Sequence, residues 1–243
     1  MKYVALFLTT LMLAMLSSCI DGEEEVFIKA DGSARVKAVY RVPALLMTAD
    51  DSEEMRTNIT EEVERHRNLK LLTNRVENVG GERIITIEIE MDDMMQVGGI
   101  LSGHTSGVKP SKADQMLHAI MGNISVALVG LKVDFSREVD LDPLLNGRGT
   151  SFLGDSEFRY IVHLPEAAES SNAHVVEDGG RTLRWAFKLS ECGEKPIVLS
   201  MVAPVPLPWW VYALAVVVGA FLLWGVCVLV RKWKARHPRV ATP

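Results

Sequence analysis

Apolar and polar residues alternate along 34–42. Ala34, Val36, Ala38, Tyr40 and Val42 fall on one side, with Arg35, Lys37 and Arg41 among their neighbours on the other. A period of two puts one set on each face of an extended chain, so this segment predicts a half-buried strand. Asp31-Gly32 ahead of it is the chemistry of a tight hairpin, 25–30 reads as the partner strand, and Pro43 closes the second. The clearest strand is 84–91, where Ile85, Ile87, Ile89 and Met91 share a face against Glu88 and Glu90. Val76 and Gly80-Gly81 supply its partner and turn. The alternation returns at Phe158, Tyr160, Val162 and Leu164, and again at Leu183, Trp185, Phe187 and Leu189. The stretch 197–202 reads as a final strand. By contrast, 124–135 is apolar with little alternation and predicts one buried central strand.

Helical spacing is rarer. Met55, Ile59 and Val63 recur every fourth residue, with Glu61, Glu62, Glu64, Arg65 and Arg67 as a wet face, predicting a helix from an Asp50 or Asp51 cap to about Lys70. Ser111 caps a second expected helix carrying Met116, Leu117, Ile120 and Met121, after a Gly/Ser/Thr-rich loop over 98–110. The order predicts an α+β domain: a mostly antiparallel sheet with about two packed helices.

The termini set an address. Residues 209–230 carry no charge and would reach roughly 33 Å as a helix, so they predict one C-terminal transmembrane helix. Trp209, Trp210, Tyr212 and Trp233 flank it as an aromatic belt. Arg231, Lys232, Lys234, Arg236 and Arg239 make 231–243 a basic tail, placing the C-terminus in the cytoplasm of a single-pass protein of the bacterial inner membrane. Residues 204–208 are a Pro-rich spacer. At the other end, Lys2 precedes a short apolar run, and 1–18 reads as a signal peptide ending in Leu16-Ser17-Ser18-Cys19. That tetrad resembles the lipobox of bacterial lipoproteins, which implies acylation of Cys19. The extracytoplasmic domain is then 19–203, with 98–122 as an insertion.

Beyond the lipobox, an Asp31-Gly32 hairpin precedes an alternating strand. Leu164-Pro165 and Asn172 lie in an extended stretch, and Asp178-Gly179 leads to Thr182-Leu183-Arg184-Trp185. This frame resembles the LppM-like family of bacterial envelope lipoproteins over nearly the whole chain. The resemblance implies a lipid-anchored envelope domain with lipid or glycolipid binding, and no catalytic residues.

Charge narrows the partners. All 31 acidic residues fall between Cys19 and Pro208 against 20 basic ones, leaving that part about eleven charges negative. Such a domain is a poor match for nucleic acid. An envelope protein partner meeting the acidic surface, as a sensor or recruiting domain, is the alternative expectation to lipid binding.

The expected protein is not an enzyme and needs no cofactor. No metalloprotease, Walker or nucleophile-elbow motif occurs. His104 sits in a hydroxyl-rich loop without an assignable carboxylate partner. Asp114 with His118 gives two ligands where zinc wants three or four, so no metal site is expected. Cys192 reads as a small filler. Met91, Met94, Met95, Met116 and Met121 cluster around the 98–110 loop and are the candidate lip of an apolar groove for an acyl chain or a partner helix.

Overall fold

The structure is a computed structural model that describes residues 20–44, 47–94, 122–140, 156–193, 196–206 and 209–236. The chain divides into two compact units, Met1–Val205 and Pro206–Pro243.

The first unit carries two sheets. Strands β1 (Asp21–Ile28) and β2 (Ala34–Pro43) form the hairpin expected around Gly32, whose φ of +85° suits glycine. Helix α1 (Ala49–Arg65) follows, then β3 (Leu69–Val79) and β4 (Glu82–Met91), paired across Gly80-Gly81. Next come β5 (Asn123–Val129), β6 (Lys132–Val139), β7 (Glu157–His163), the short β8 (Ser170–Ser171) and β9 (Val175–Glu177), β10 (Thr182–Lys188) and β11 (Ile197–Pro204). Sheet A has the order β3-β4-β2-β1-β7-β10-β9 and sheet B the order β5-β6-β11-β8. Pairing is antiparallel throughout except between β1 and β7.

The alternating strands bury the faces that their period predicts. Ala38, Tyr40, Val42, Ile85, Ile87, Phe158, Tyr160, Val162, Leu183, Trp185 and Phe187 join one core. Met55 and Ile59 of α1 close it on one side; Phe135, Val139, Leu199, Met201 and Ala203 of sheet B close it on the other.

Several expectations are corrected. The run 124–135 is two strands, because Gly130 takes φ +65° and turns the chain back through Gly130-Leu131. The helix is capped by Thr48, which accepts from the Asp51 backbone N–H while the Asp51 carboxylate bonds back to Thr48 N, a reciprocal capping box. It ends at Arg65, because the chain past His66 extends into β3. The first strand starts at Asp21, not Glu25, and the sheet is two sheets. The second expected helix and the 98–110 loop lie outside the described residues, as do 1–19.

The second unit is helix α2 (Trp209–Arg236), whose Trp210, Leu214, Val216, Phe221, Leu222, Leu223 and Trp224 are all more than half exposed. The expected C-terminal transmembrane helix is not supported: among the described residues no helix is long and apolar enough to cross a membrane. The single-pass inner-membrane localisation with a cytoplasmic C-terminus loses its support with it.

Candidate functional site

The centre of the first unit holds a charged pair. Glu24 is in phase with Val26 on the buried face of β1, and Arg137 is in phase with Phe135 and Val139 on β6. They are 6 % and 1 % exposed. The guanidinium grips the carboxylate with two bonds, Nη1 to Oε2 at 2.5 Å and Nη2 to Oε1 at 3.0 Å. Tyr40 Oη donates to Oε1 at 2.5 Å. The flat cation also lies over the rings of Tyr160 and Phe158, at 4.8 and 5.5 Å from their centroids. Burying two ions is costly, and fork-to-fork geometry with further hydrogen bonds is what offsets it.

The electrostatics follow from burial. Desolvation, with the Glu24 charge beside it, pushes the Tyr40 phenol well above its ordinary range. Desolvation pushes Tyr160 up to about 12, although Arg137 pulls the other way. Burial alone would lower Arg137; the Glu24 charge and hydrogen bonds outweigh it and hold the guanidinium firmly protonated. Both Glu24 oxygens already accept bonds, so the cluster is a closed clamp between β1 and β2 of sheet A and β6 of sheet B. It does not present an open acid or base.

A second clamp joins the sheets. The Asn172 Oδ1 accepts from Trp185 Nε1 and from Ser200 N, both at 2.8 Å, and its Nδ2 donates to the Val198 carbonyl at 2.7 Å. Two of the short motifs read from sequence, Asn172 and Trp185, therefore meet in space. At the end of β7, His163 stands between Glu25, 2.9 Å from Nε2, and Thr182, 3.3 Å from Nδ1, with Phe27 stacked on the ring. Thr182 in turn donates to Asp178 at 2.7 Å.

The outer face of sheet A is charged, yet much of it is self-paired. Arg35 with Glu88, Lys29 with Glu90, Arg159 with Glu23 and Arg184 with Glu177 are ion pairs on its surface. At the start of β1 a shallow cleft of about 260 Å³ is lined by Asp21, Gly22, Glu23, Val39, Arg41 and Arg159. Arg41 has no ion pair among the described residues. Beside the cleft, Ile20 is buried and its backbone N–H donates to Ser156 Oγ at 2.7 Å, while the Asp21 carboxylate accepts from Glu157 N at 3.0 Å.

Of the candidate groove, Met91 is buried against Ala34 with Ile28, Val36 and Leu69 around it, and Met94 is half-buried beside them. Met95, Met116 and Met121 lie outside the described residues, as do His104, His118 and Cys19. The side chain of Cys192 also lies outside them. No group of three metal-ligating side chains occurs among the described residues.

No family model matches the chain, and no curated protein matches it by sequence. Among solved structures it is similar to the folded domain of LppM from Mycobacterium tuberculosis, determined by NMR. That likeness covers 78% of this chain and 91% of that one at 14% identity, with a TM-score of 0.46. It assigns no role to any residue here.

Proposed function

We propose that this chain is a non-catalytic bacterial envelope lipoprotein, held to a bilayer by acyl chains on Cys19, whose folded unit engages lipid or glycolipid headgroups. The observation that carries the reading is the seating of Ile20. The residue after the lipobox cysteine is already part of the core, pinned by Ser156 and followed at once by β1. An acylated Cys19 would have no spacer, so this end of the domain would rest on the headgroups. The cleft with Arg41 and Arg159 opens at the same end. Guanidinium groups suit phosphate or polyol headgroups better than acyl tails. This moves the expected contact from the methionine lip to a charged cleft. The pairing of sheet A's carboxylates with its own cations gives less support to the alternative, an envelope partner recruited through an acidic surface.

One acyl chain binds membranes marginally and several bind stably, since each buried CH₂ contributes ~0.8 kcal/mol. Cys19→Ala in a bacterial host is therefore expected to abolish incorporation of an alkynyl palmitate analogue. Label persisting in the variant would refute acylation at this residue. For the headgroup contact, Arg41→Glu in the full chain is expected to weaken binding to vesicles containing phosphatidylinositol at least threefold. Unchanged binding would remove the cleft from the proposal.

A further inference from the structure

Among the described residues four strands end the two sheets, and three of them are blunted against further pairing. β9 and β8 are three and two residues long. β3 is long but carries Lys70, Arg75 and Glu77, and its register slips at a bulge between Leu71 and Thr73. Short length, edge charges and bulges are how sheets avoid meeting one another edge to edge. β5 has none of these. It runs seven residues, Asn123–Val129, without a charge, a proline or a register shift, and among the described residues it pairs only with β6. Its outward side chains Asn123, Ser125, Ala127 and Val129 are exposed, and so is Leu128, at 58 %.

We infer that β5 is a pairing edge for a second copy of this chain, the two β5 strands running antiparallel about a two-fold axis at Val126. The sequence is complementary to itself in that register. Ile124 meets the partner's Leu128, Val126 meets its own copy, Ser125 meets the partner's Ala127, and Asn123 meets the partner's Val129. Apolar side chains lie opposite apolar ones on the core-facing side. No like charges are brought together. The product is a continuous sheet running β8-β11-β6-β5 through the partner's β5 and outward again. The exposed Leu128 is covered by the partner's Ile124. This inference does not depend on acylation or on the arginine cleft.

The test uses the full chain in mild detergent, with Cys19→Ser, Cys192→Ser and Cys227→Ser as background. Opposed residues of an antiparallel pair have Cα atoms about 4.5–5.5 Å apart, within disulfide reach, whereas diagonal neighbours are farther. Ser125 and Ala127 point away from the core, so cysteines there leave packing alone. The double variant Ser125→Cys/Ala127→Cys is expected to give covalent dimer on mild oxidation at least tenfold more than either single variant. Light scattering should give the mass of two chains for the background protein at tens of micromolar. Single variants that crosslink as well as the double one would overturn the inference, by showing another contact. So would a monomer at that concentration, or polydisperse aggregate in place of a discrete dimer.

Discussion

Arg137 shows how much one side chain decides. Its charge meets the Glu24 carboxylate and two aromatic faces, inside a core where no other charged pair is buried among the described residues. Glu24→Ala removes that carboxylate and its two bonds to the buried guanidinium, so urea unfolding should show a loss of roughly 3–5 kcal/mol. Glu24→Leu with Arg137→Met removes both ions at similar volume and is expected to restore most of that stability. A double variant as unstable as the single would show that the pair itself is indispensable. The phenols give a pH signature. Below pH ~10 native and unfolded tyrosines all keep their protons, so stability does not depend on them. As pH rises from there towards 12, the unfolded chain ionises while buried Tyr160 stays protonated, the unfolded state gains, and stability falls. Absorbance at 295 nm should accordingly show Tyr40 and Tyr160 silent until the protein unfolds. Early titration of Tyr40 or Tyr160 in the folded protein would contradict their burial.

At the scale of elements, local chemistry was legible wherever the period was clean. The strands at 34–43, 82–91, 157–163 and 182–188 lie within a residue or two of their reading, since one face of each is buried and the other wet. The reading failed at 124–135. β5 is apolar enough to hide its period, and the turn residues Gly130-Leu131 lack a polar marker between it and the more polar β6. The cap lies two or three residues before the expected Asp50 or Asp51, because Thr48 and Asp51 act as a pair. Thr48→Ala should cost about 1 kcal/mol in thermal unfolding, and a neutral result would mean that α1 is held by packing alone. Gly122 precedes β5 with φ +65°, and a Cβ there would stand 2.2 Å from the Glu138 carbonyl oxygen. Gly122→Ala is therefore expected to destabilise by more than the ~1 kcal/mol of left-handed strain alone.

For the whole first unit, the contacts that matter join segments far apart in the chain. Glu24 and Arg137 are 113 residues apart, and Ile20 and Ser156 are 136 apart. The signal for the clamp was present but faint: each residue sits in phase with apolar neighbours on a strand's buried face. Single phases cannot name a partner. Asn172 ties Trp185 of sheet A to β11 of sheet B, so Asn172→Ala should unsettle both sheets at once. The expected loss is about 1–3 kcal/mol, together with a weakened near-ultraviolet circular dichroism signal from Trp185. An unchanged spectrum would mean that the tryptophan is positioned by its ring contacts alone.

Local residue pattern settles which faces are apolar, where the hairpins at Gly32 and Gly80-Gly81 turn, and that the fold is α+β. Those properties are local, because side-chain period and positive-φ glycines act within a few residues. The folded arrangement brings two sheets onto one core, joins them through a buried ion pair and docks Ile20. It also decided that β5 ends its sheet uncharged and exposed. Each of these depends on which strand lies beside which, and that is settled by long-range pairing and shared burial, quantities with no period along the chain.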